Sequence, residues 1–324
     1  FTPTGDLLRE IANYGHVAVA GLTRYRSGRI SPPGEDWTDQ FFMTLFNTQE
    51  LVRLQIERQG ASFKSVTHPF LTIHDPDVHL VGVLEDADGS LLLIDTGGWF
   101  RQGCPASGVA KPDIAGAVYR IRKAGPYDRT TDWRGENIDW ENAGPDHLGA
   151  LLSDSRFTVR ERAATAIAKM GDSSVPALAN ICASHPDPDT RIHAVFALSR
   201  NPSKKSLVPL RSALRDTSSE VRIAATHALG ERRDGTAVVS LSKNLHHASE
   251  SLQRETASAL GHAGHPKALP PLVKALSNSQ LDRIREHNLI RAILDIDDPE
   301  ATGIAFTSAL KYYGDNPDFL RRRL

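Results

Sequence analysis

Cysteine is nearly missing from this chain: Cys104 and Cys182 are the whole complement of 324 residues. Neither a disulfide framework nor a four-cysteine metal site can be built from two. No apolar run approaches the roughly 18 residues that a membrane-spanning helix needs. An excess of one charge is missing too. Thirty-eight Lys and Arg stand against 39 Asp and Glu, net −1, which excludes a basic protein built to coat nucleic acid. No basic, apolar and small-residue leader follows Phe1 and no Met precedes it, so a fragment or a processed chain is expected. No nucleophile elbow, phosphate-cradling glycine loop or zinc-protease helix occurs, and hydrolase and nucleotide-binding readings gain no support. What is present, 40% hydrophobic and 24% charged residues, describes a folded chain of about two domains.

Composition changes near residue 144. Residues 1–144 hold 14 Lys and Arg against 19 Asp and Glu, and all four Trp; residues 145–324 hold 24 against 20. The later part repeats itself. VRERAATAI begins at Val159, TRIHAVFAL at Thr190, VRIAATHAL at Val221, LQRETASAL at Leu252 and IREHNLIRA at Ile284, in steps of 31 or 32 residues. A second apolar set recurs at Leu178, Leu210, Leu241 and Leu272. Each unit predicts two amphipathic helices joined by a turn, with small residues such as Ala194, Ala197, Ala225 and Ala228 letting neighbouring helices approach. Arg160, Arg191 and Arg222 recur within the motif; a phosphate-binding stripe is one reading, but Gln253 in the fourth unit breaks any continuous basic stripe, and pairing with acidic turn residues such as Asp154 or Asp216 in a ladder is expected instead. Units of this period bury their apolar faces only against one another, so an α-solenoid of about five and a half repeats over 145–324 is expected.

The first part reads as β. GLTRYRS, FFMTLF, LVRLQIE and SFKSV predict a four-stranded meander; HLVGVLE, SLLLIDT and AVYRIR predict a three-stranded one, with Asp88-Gly89 as a hairpin turn. Two such sheets stacked radially would be about two blades of a β-propeller over 1–123; a self-contained two-sheet domain is the alternative. The Gly- and Pro-punctuated stretch 124–144 is read as a linker.

The repeats resemble HEAT repeats of the short type also found in phycobilin-lyase-like proteins. The β part resembles another family. Asp88-Gly89, Asp95-Thr96-Gly97-Gly98-Trp99, Cys104-Pro105, Lys111-Pro112-Asp113 and the strand Gly116–Arg122 are similar to the last blade of the planctomycete and verrucomicrobial membrane-bound dehydrogenases, quinoprotein sugar-dehydrogenase-like propellers that commonly continue into HEAT-like repeats. Residues 15–25 and 41–65 resemble the preceding blade. Two positions depart from the family pattern: Gly103 replaces one of a cysteine pair, and Gly82 stands where an acidic residue is usual.

The resemblance implies a periplasmic or secreted protein that binds pyrroloquinoline quinone, often with calcium, and transfers hydride from a sugar or alcohol. It implies cofactor contacts from His16 and His79, with Arg24 and Arg26 supplying cations for the anionic quinone. No haem attachment is expected, because no Cys-x-x-Cys-His occurs. This chain alone is not expected to turn over substrate. On that reading the solenoid docks a protein partner or electron acceptor; the alternative is a non-catalytic scaffold binding a protein or glycan. Among blander features, His74-Asp75-Pro76-Asp77-Val78-His79 is read as an Asx-type turn ahead of a metal site, and Asp86-Ala87-Asp88-Gly89 as a hairpin turn. His246, His247, His262 and His265 are expected near exposed helix ends, and Trp99 in packing.

Overall fold

The computed structural model describes residues 8–98, 111, 113–126, 130–247, 249–278 and 280–312. Trp99, Cys104, Pro105 and Pro112 lie outside the described residues.

Every strand-like run of the sequence forms a strand. β1 (Val19–Arg24), β2 (Phe41–Leu45), β3 (Glu50–Gln59) and β4 (Ser62–Thr72) make an antiparallel sheet in that order. β5 (Leu80–Glu85), β6 (Leu91–Asp95) and β7 (Ala117–Ile121) make a second. β4 runs past the expected end at Val66 and through Pro69. It is an edge strand, the position in a sheet where proline is tolerated, and the pairing is irregular beside Pro69.

The two sheets share one core. Tyr25, Trp37, Phe42 and Leu51 meet Val78, Leu80, Val83, Leu91 and Leu93. The Phe42 ring is 5.4 Å from Tyr25 and 5.0 Å from Phe70, both edge-on, an arrangement the aromatic quadrupole favours. The buried Tyr25 hydroxyl donates to the Gly89 carbonyl at 2.7 Å and accepts the Ile30 N–H at 2.8 Å. β1 crosses β5 so closely that a Cβ at Gly21 would sit 2.7 Å from the Cα of Gly82. The other face of the first sheet buries Met43, Leu45, Val52 and Leu54 beneath Tyr14 and Val17.

The stretch 124–144, expected as a linker, has no helix or strand among its described residues but is pinned down. Trp133 stacks under the Arg29 guanidinium at 3.6 Å, its carbonyl accepts Thr158 Oγ1 at 2.5 Å, and Trp140 packs on the helical core.

The helices follow in chain order as α1 (Pro145–Ala150), α2 (Phe157–Lys169), α3 (Val175–Ser184), α4 (Pro188–Arg200), α5 (Leu207–Ala213) and α6 (Ser219–Glu231). Then come α7 (Val238–Ser242), α8 (Glu250–Ala263), α9 (Leu269–Leu276), α10 (Arg283–Ile296) and α11 (Pro299–Tyr312). The even-numbered, longer helices pack side by side as one layer; the odd-numbered ones form the other. Five pairs and one further helix match the five and a half repeats expected. Side chains start several helices: Asp187 accepts the N–H groups of Asp189 and Thr190 at α4, and Asp282 those of Ile284 and Arg285 at α10.

Leu178, Leu210, Leu241 and Leu272 are fully buried, as are Ala194, Ala197, Ala225 and Ala228. Gly230 and Gly261 carry the close approach further. A Cβ at either would lie 2.8 Å from a Cα of the next helix, Ala259 or Ala292.

The recurring arginines do something besides the expected ladder. Arg160 donates to the carbonyls of Asp154 and Ser155, Arg191 to those of His185 and Pro186, and Arg222 to those of Asp216 and Thr217. Gln253 donates to the His247 carbonyl and Arg285 to that of Gln280. Each side chain thus closes its own turn by satisfying backbone carbonyls in the stretch just ahead of its helix. Gln253 does the same work in the fourth unit without a charge. Arg191 also makes the expected carboxylate pair, with both oxygens of Asp216 at 2.9 and 2.8 Å, and Arg285 pairs with Asp282 and Glu250. Asp154 pairs with Arg156 instead, and that pairing holds its carboxyl below the usual range.

The β part rests on the even-numbered layer at two places. Arg26 bridges to Glu161 and lies 4.2 Å above the Phe157 ring at α2. Further along, the β3–β4 hairpin tip reaches α6 and α8: Arg58 pairs with Glu220 at 2.5 Å, and the carbonyls of Gly60 and Ala61 accept Ser251 and Arg254. α4 lies between these anchors.

Candidate functional site

The span over α4 leaves a groove of about 1240 Å³. Arg24, Thr38 and Asp39 wall one side, and α2, α4 and α6 floor the other, so the groove crosses three successive repeats. Its floor is apolar where Ala164, Ile192 and Phe196 meet; Phe196 stays 39% exposed and stands edge-on to His227 at 6.5 Å.

His193 is set into this floor. Its Nδ1–H donates to the Leu152 carbonyl at 3.1 Å, which leaves Nε2 as an acceptor. Burial pushes its pKa below the usual histidine range, with the nearby Arg160 cation acting in the same direction, so the ring is neutral at pH 7. His227 pairs with Glu255 at 2.9 Å, and His262 lies 3.5 Å from Glu231.

The residues implied for quinone binding fall into two groups. His79 is half-buried, with Nδ1 donating to the Gly97 carbonyl at 2.7 Å, its backbone N–H on Asp95 at 2.8 Å and its ring 4.8 Å from Phe46. His16 is exposed ahead of β1. Phe46 directly follows Leu45, which pairs with Val19 at the start of β1. Arg24 ends the same strand, about 17 Å away at the usual rise per residue, and Arg26 lies beyond it. Arg24 pairs with Asp39 at 2.7 Å; Arg26 engages Glu85 and Glu161.

The structure therefore brings the two arginines into one groove and leaves the histidines at the opposite end of β1. These four residues do not form a cradle for a planar polyanion. Among the described residues no group of three or more His, Cys, Asp and Glu is placed to hold a metal ion. Gly82, where the family has an acidic residue, is the position pressed against Gly21.

Other motifs resolve locally. Asp75 Oδ1 accepts the Asp77 N–H at 2.9 Å, an Asx turn, and Gly89 N–H donates to the Asp86 carbonyl in the β5–β6 hairpin. Cys182 is on the buried face of α3 and its thiol is pushed up to about 11 by desolvation, the opposite of a reactive cysteine. His262 lies in the last turn of α8, and His265 caps the short turn after it.

Sequence reasoning passed over the groove floor. Its signal was a departure from the repeat: TRIHAVFAL places His193 and Phe196 where VRERAATAI has Arg162 and Thr165.

Comparison with known proteins falls on the helices. The family model described as HEAT repeats matches residues 175–247, and that of the PBS lyase HEAT-like repeat matches 159–184 and 252–278. No curated protein matches the chain. Among solved structures, the complex of CpcE and CpcF of phycocyanin lyase from Nostoc sp. PCC7120 is 21% identical, covering 61% of this chain and 79% of that one, at a TM-score of 0.40. A designed armadillo repeat protein in complex with peptide (KR)4 is 18% identical, covering 56% and 99%, at 0.36. Human deoxyhypusine hydroxylase in complex with glycerol is 18% identical, covering 55% and 81%, at 0.29. No helix among the described residues is long and apolar enough to cross a membrane. The chain thus joins antiparallel sheets to a region of HEAT-like repeats.

Proposed function

We propose that this chain is a non-catalytic scaffold that holds an extended segment of a partner protein in the groove between the β part and α2, α4 and α6. The observation that carries this reading is the spanning geometry: the β part touches the even-numbered layer at α2 and again at α6 and α8, and leaves an apolar floor between. A ligand running across three repeats meets equivalent positions at each step, which is how repeat surfaces bind chains. A photo-crosslinking amino acid at Phe196 of the full-length protein should capture a polypeptide, while the same group at Val239, 65% exposed on the other layer, should not. Equal capture from both positions would contradict the assignment.

A second reading concerns the β part, as two neighbouring blades of a dehydrogenase-type propeller. The face-to-face stacking of a four- on a three-stranded meander supports it, as does the outer face of the second sheet, where Leu84 and Val118 are 52% and 66% exposed as an unpaired blade face would be. No chemical step is assigned to it.

A further inference from the structure

We infer that the segment held in the groove is cationic: an extended peptide with one apolar side chain on Phe196 and Ile192, flanked by lysine or arginine. This inference rests on the scaffold reading above and specifies its ligand. Seven carboxylates and five arginines are among the described groove residues, a modest acidic excess. The stronger point is which of these groups still has free valence.

Four of the five arginines have their donors engaged within the protein. Arg24 is on Asp39, Arg26 on Glu85 and Glu161, Arg160 on two turn carbonyls, and Arg232 on the carbonyls of Ser199, Asn201 and Ser203. Of the seven carboxylates, Asp39, Asp154, Glu161 and Glu220 each carry an arginine, and two of the others are less committed. Asp189 is exposed on the first turn of α4 beside Asp187, which uses its oxygens on N–H groups and the Thr190 hydroxyl and has no cation on it. Glu231, 54% exposed by side chain, has only His262 near it. His193 adds a neutral Nε2. Asp189 and Glu231 thus stand open against one arginine, Arg200, of which Nε donates to the Phe196 carbonyl, and this balance favours a ligand rich in donors; Lys and Arg carry donors with no acceptor. Charges of this kind act mainly on selectivity and encounter rate, while the apolar floor supplies the anchor.

The test uses the full-length protein and three fluorescein-labelled peptides of about ten residues, each with one central Leu flanked by Lys-Gly, Glu-Gly or Ser-Gly repeats. By anisotropy at low salt, the Lys peptide should bind at least about tenfold more tightly than the Glu peptide, with the margin shrinking as salt screens it. Asp189→Lys combined with Glu231→Lys should cut the Lys-peptide affinity by about tenfold, both positions being exposed enough to leave the fold intact. Phe196→Asp should weaken all three peptides. Should the three peptides bind alike but remain sensitive to Phe196→Asp, the cationic assignment falls and the scaffold stands. Preference for the Glu peptide, or no binding by any, overturns the inference, and the crosslinking experiment then judges the scaffold by itself.

Discussion

The helices and the sheets reach stability by different routes. In the helical region the same few contacts recur: a buried leucine, a pair of buried alanines, and a side chain closing its own turn on backbone carbonyls. No one repeat is indispensable in kind. In the β part every important contact occurs once. Tyr25, Trp37, Phe42 and Phe70 form one aromatic cluster, and Gly21 and Gly82 make one crossing. A recurring design tolerates substitution and degrades gradually, whereas a unique one fails at its centre.

That difference can be pressed hardest at the cluster. Phe42→Ala should destabilise the β part by about 3–5 kcal/mol and loosen both sheets together, since the ring touches three others. Leu229→Ala should cost about 2–5 kcal/mol but act locally, on α6 and its neighbours. Native-state hydrogen exchange along a urea series, read at the β2 and β3 amides for the sheets and at the α6 amides for the repeats, separates the two. If Phe42→Ala left the β2 and β3 amides unchanged while Leu229→Ala exposed them, the comparison would be wrong.

Additivity sharpens the contrast. Leu178→Ala and Leu272→Ala sit in repeats three apart, and their effects should add to within about 0.5 kcal/mol. Phe42→Ala with Leu91→Ala, both facing the shared sheet core, should miss additivity by about 0.5–3 kcal/mol.

Much of this architecture is legible in the residues themselves. A 31-residue period announces a solenoid because each unit must bury its face on the next, and the alternation in LVRLQIE and the short apolar run in SLLLIDT announce strands. What is illegible depends on distant partners. Gly60 meets Ser251 across 191 positions, and no local pattern marks the hairpin tip as the anchor of the groove. The quinone residues were chosen by a family resemblance, yet Arg24 and Arg26 owe their positions to Asp39, Glu85 and Glu161, which only the folded chain brings near. Trp37 escaped a role because the loop before β2 folds back over Phe42 and Phe70. The ladder expected of the arginines is realised in part: Arg191 reaches Asp216, whereas Arg160 and Arg222 spend their bonds on the carbonyls of their own turns.

Smaller effects follow from single side chains. Arg222→Gln should cost no more than about 1 kcal/mol, because Gln253 already makes the equivalent carbonyl bond one repeat on; Arg222→Leu, which abandons both carbonyls, should cost more. Thermal melts of the two variants decide this. His193 is disfavoured as a cation in the fold, so its contribution is present above the ordinary histidine range and is lost as pH falls through and below it. The melting temperature of the protein should therefore drop more steeply between pH 7.5 and 5, roughly the span of histidine titration, than that of His193→Gln. Parallel curves would mean that the ring titrates freely in the groove.

Hydrogen exchange of the full-length protein with and without the Lys peptide tests the central claim most directly. Binding in the groove should slow exchange in α2, α4 and α6, most of all along the α4 segment from Ile192 to Arg200, and leave α3, α5 and α7 unchanged. Protection confined to the odd-numbered helices, or spread evenly over both layers, would contradict it.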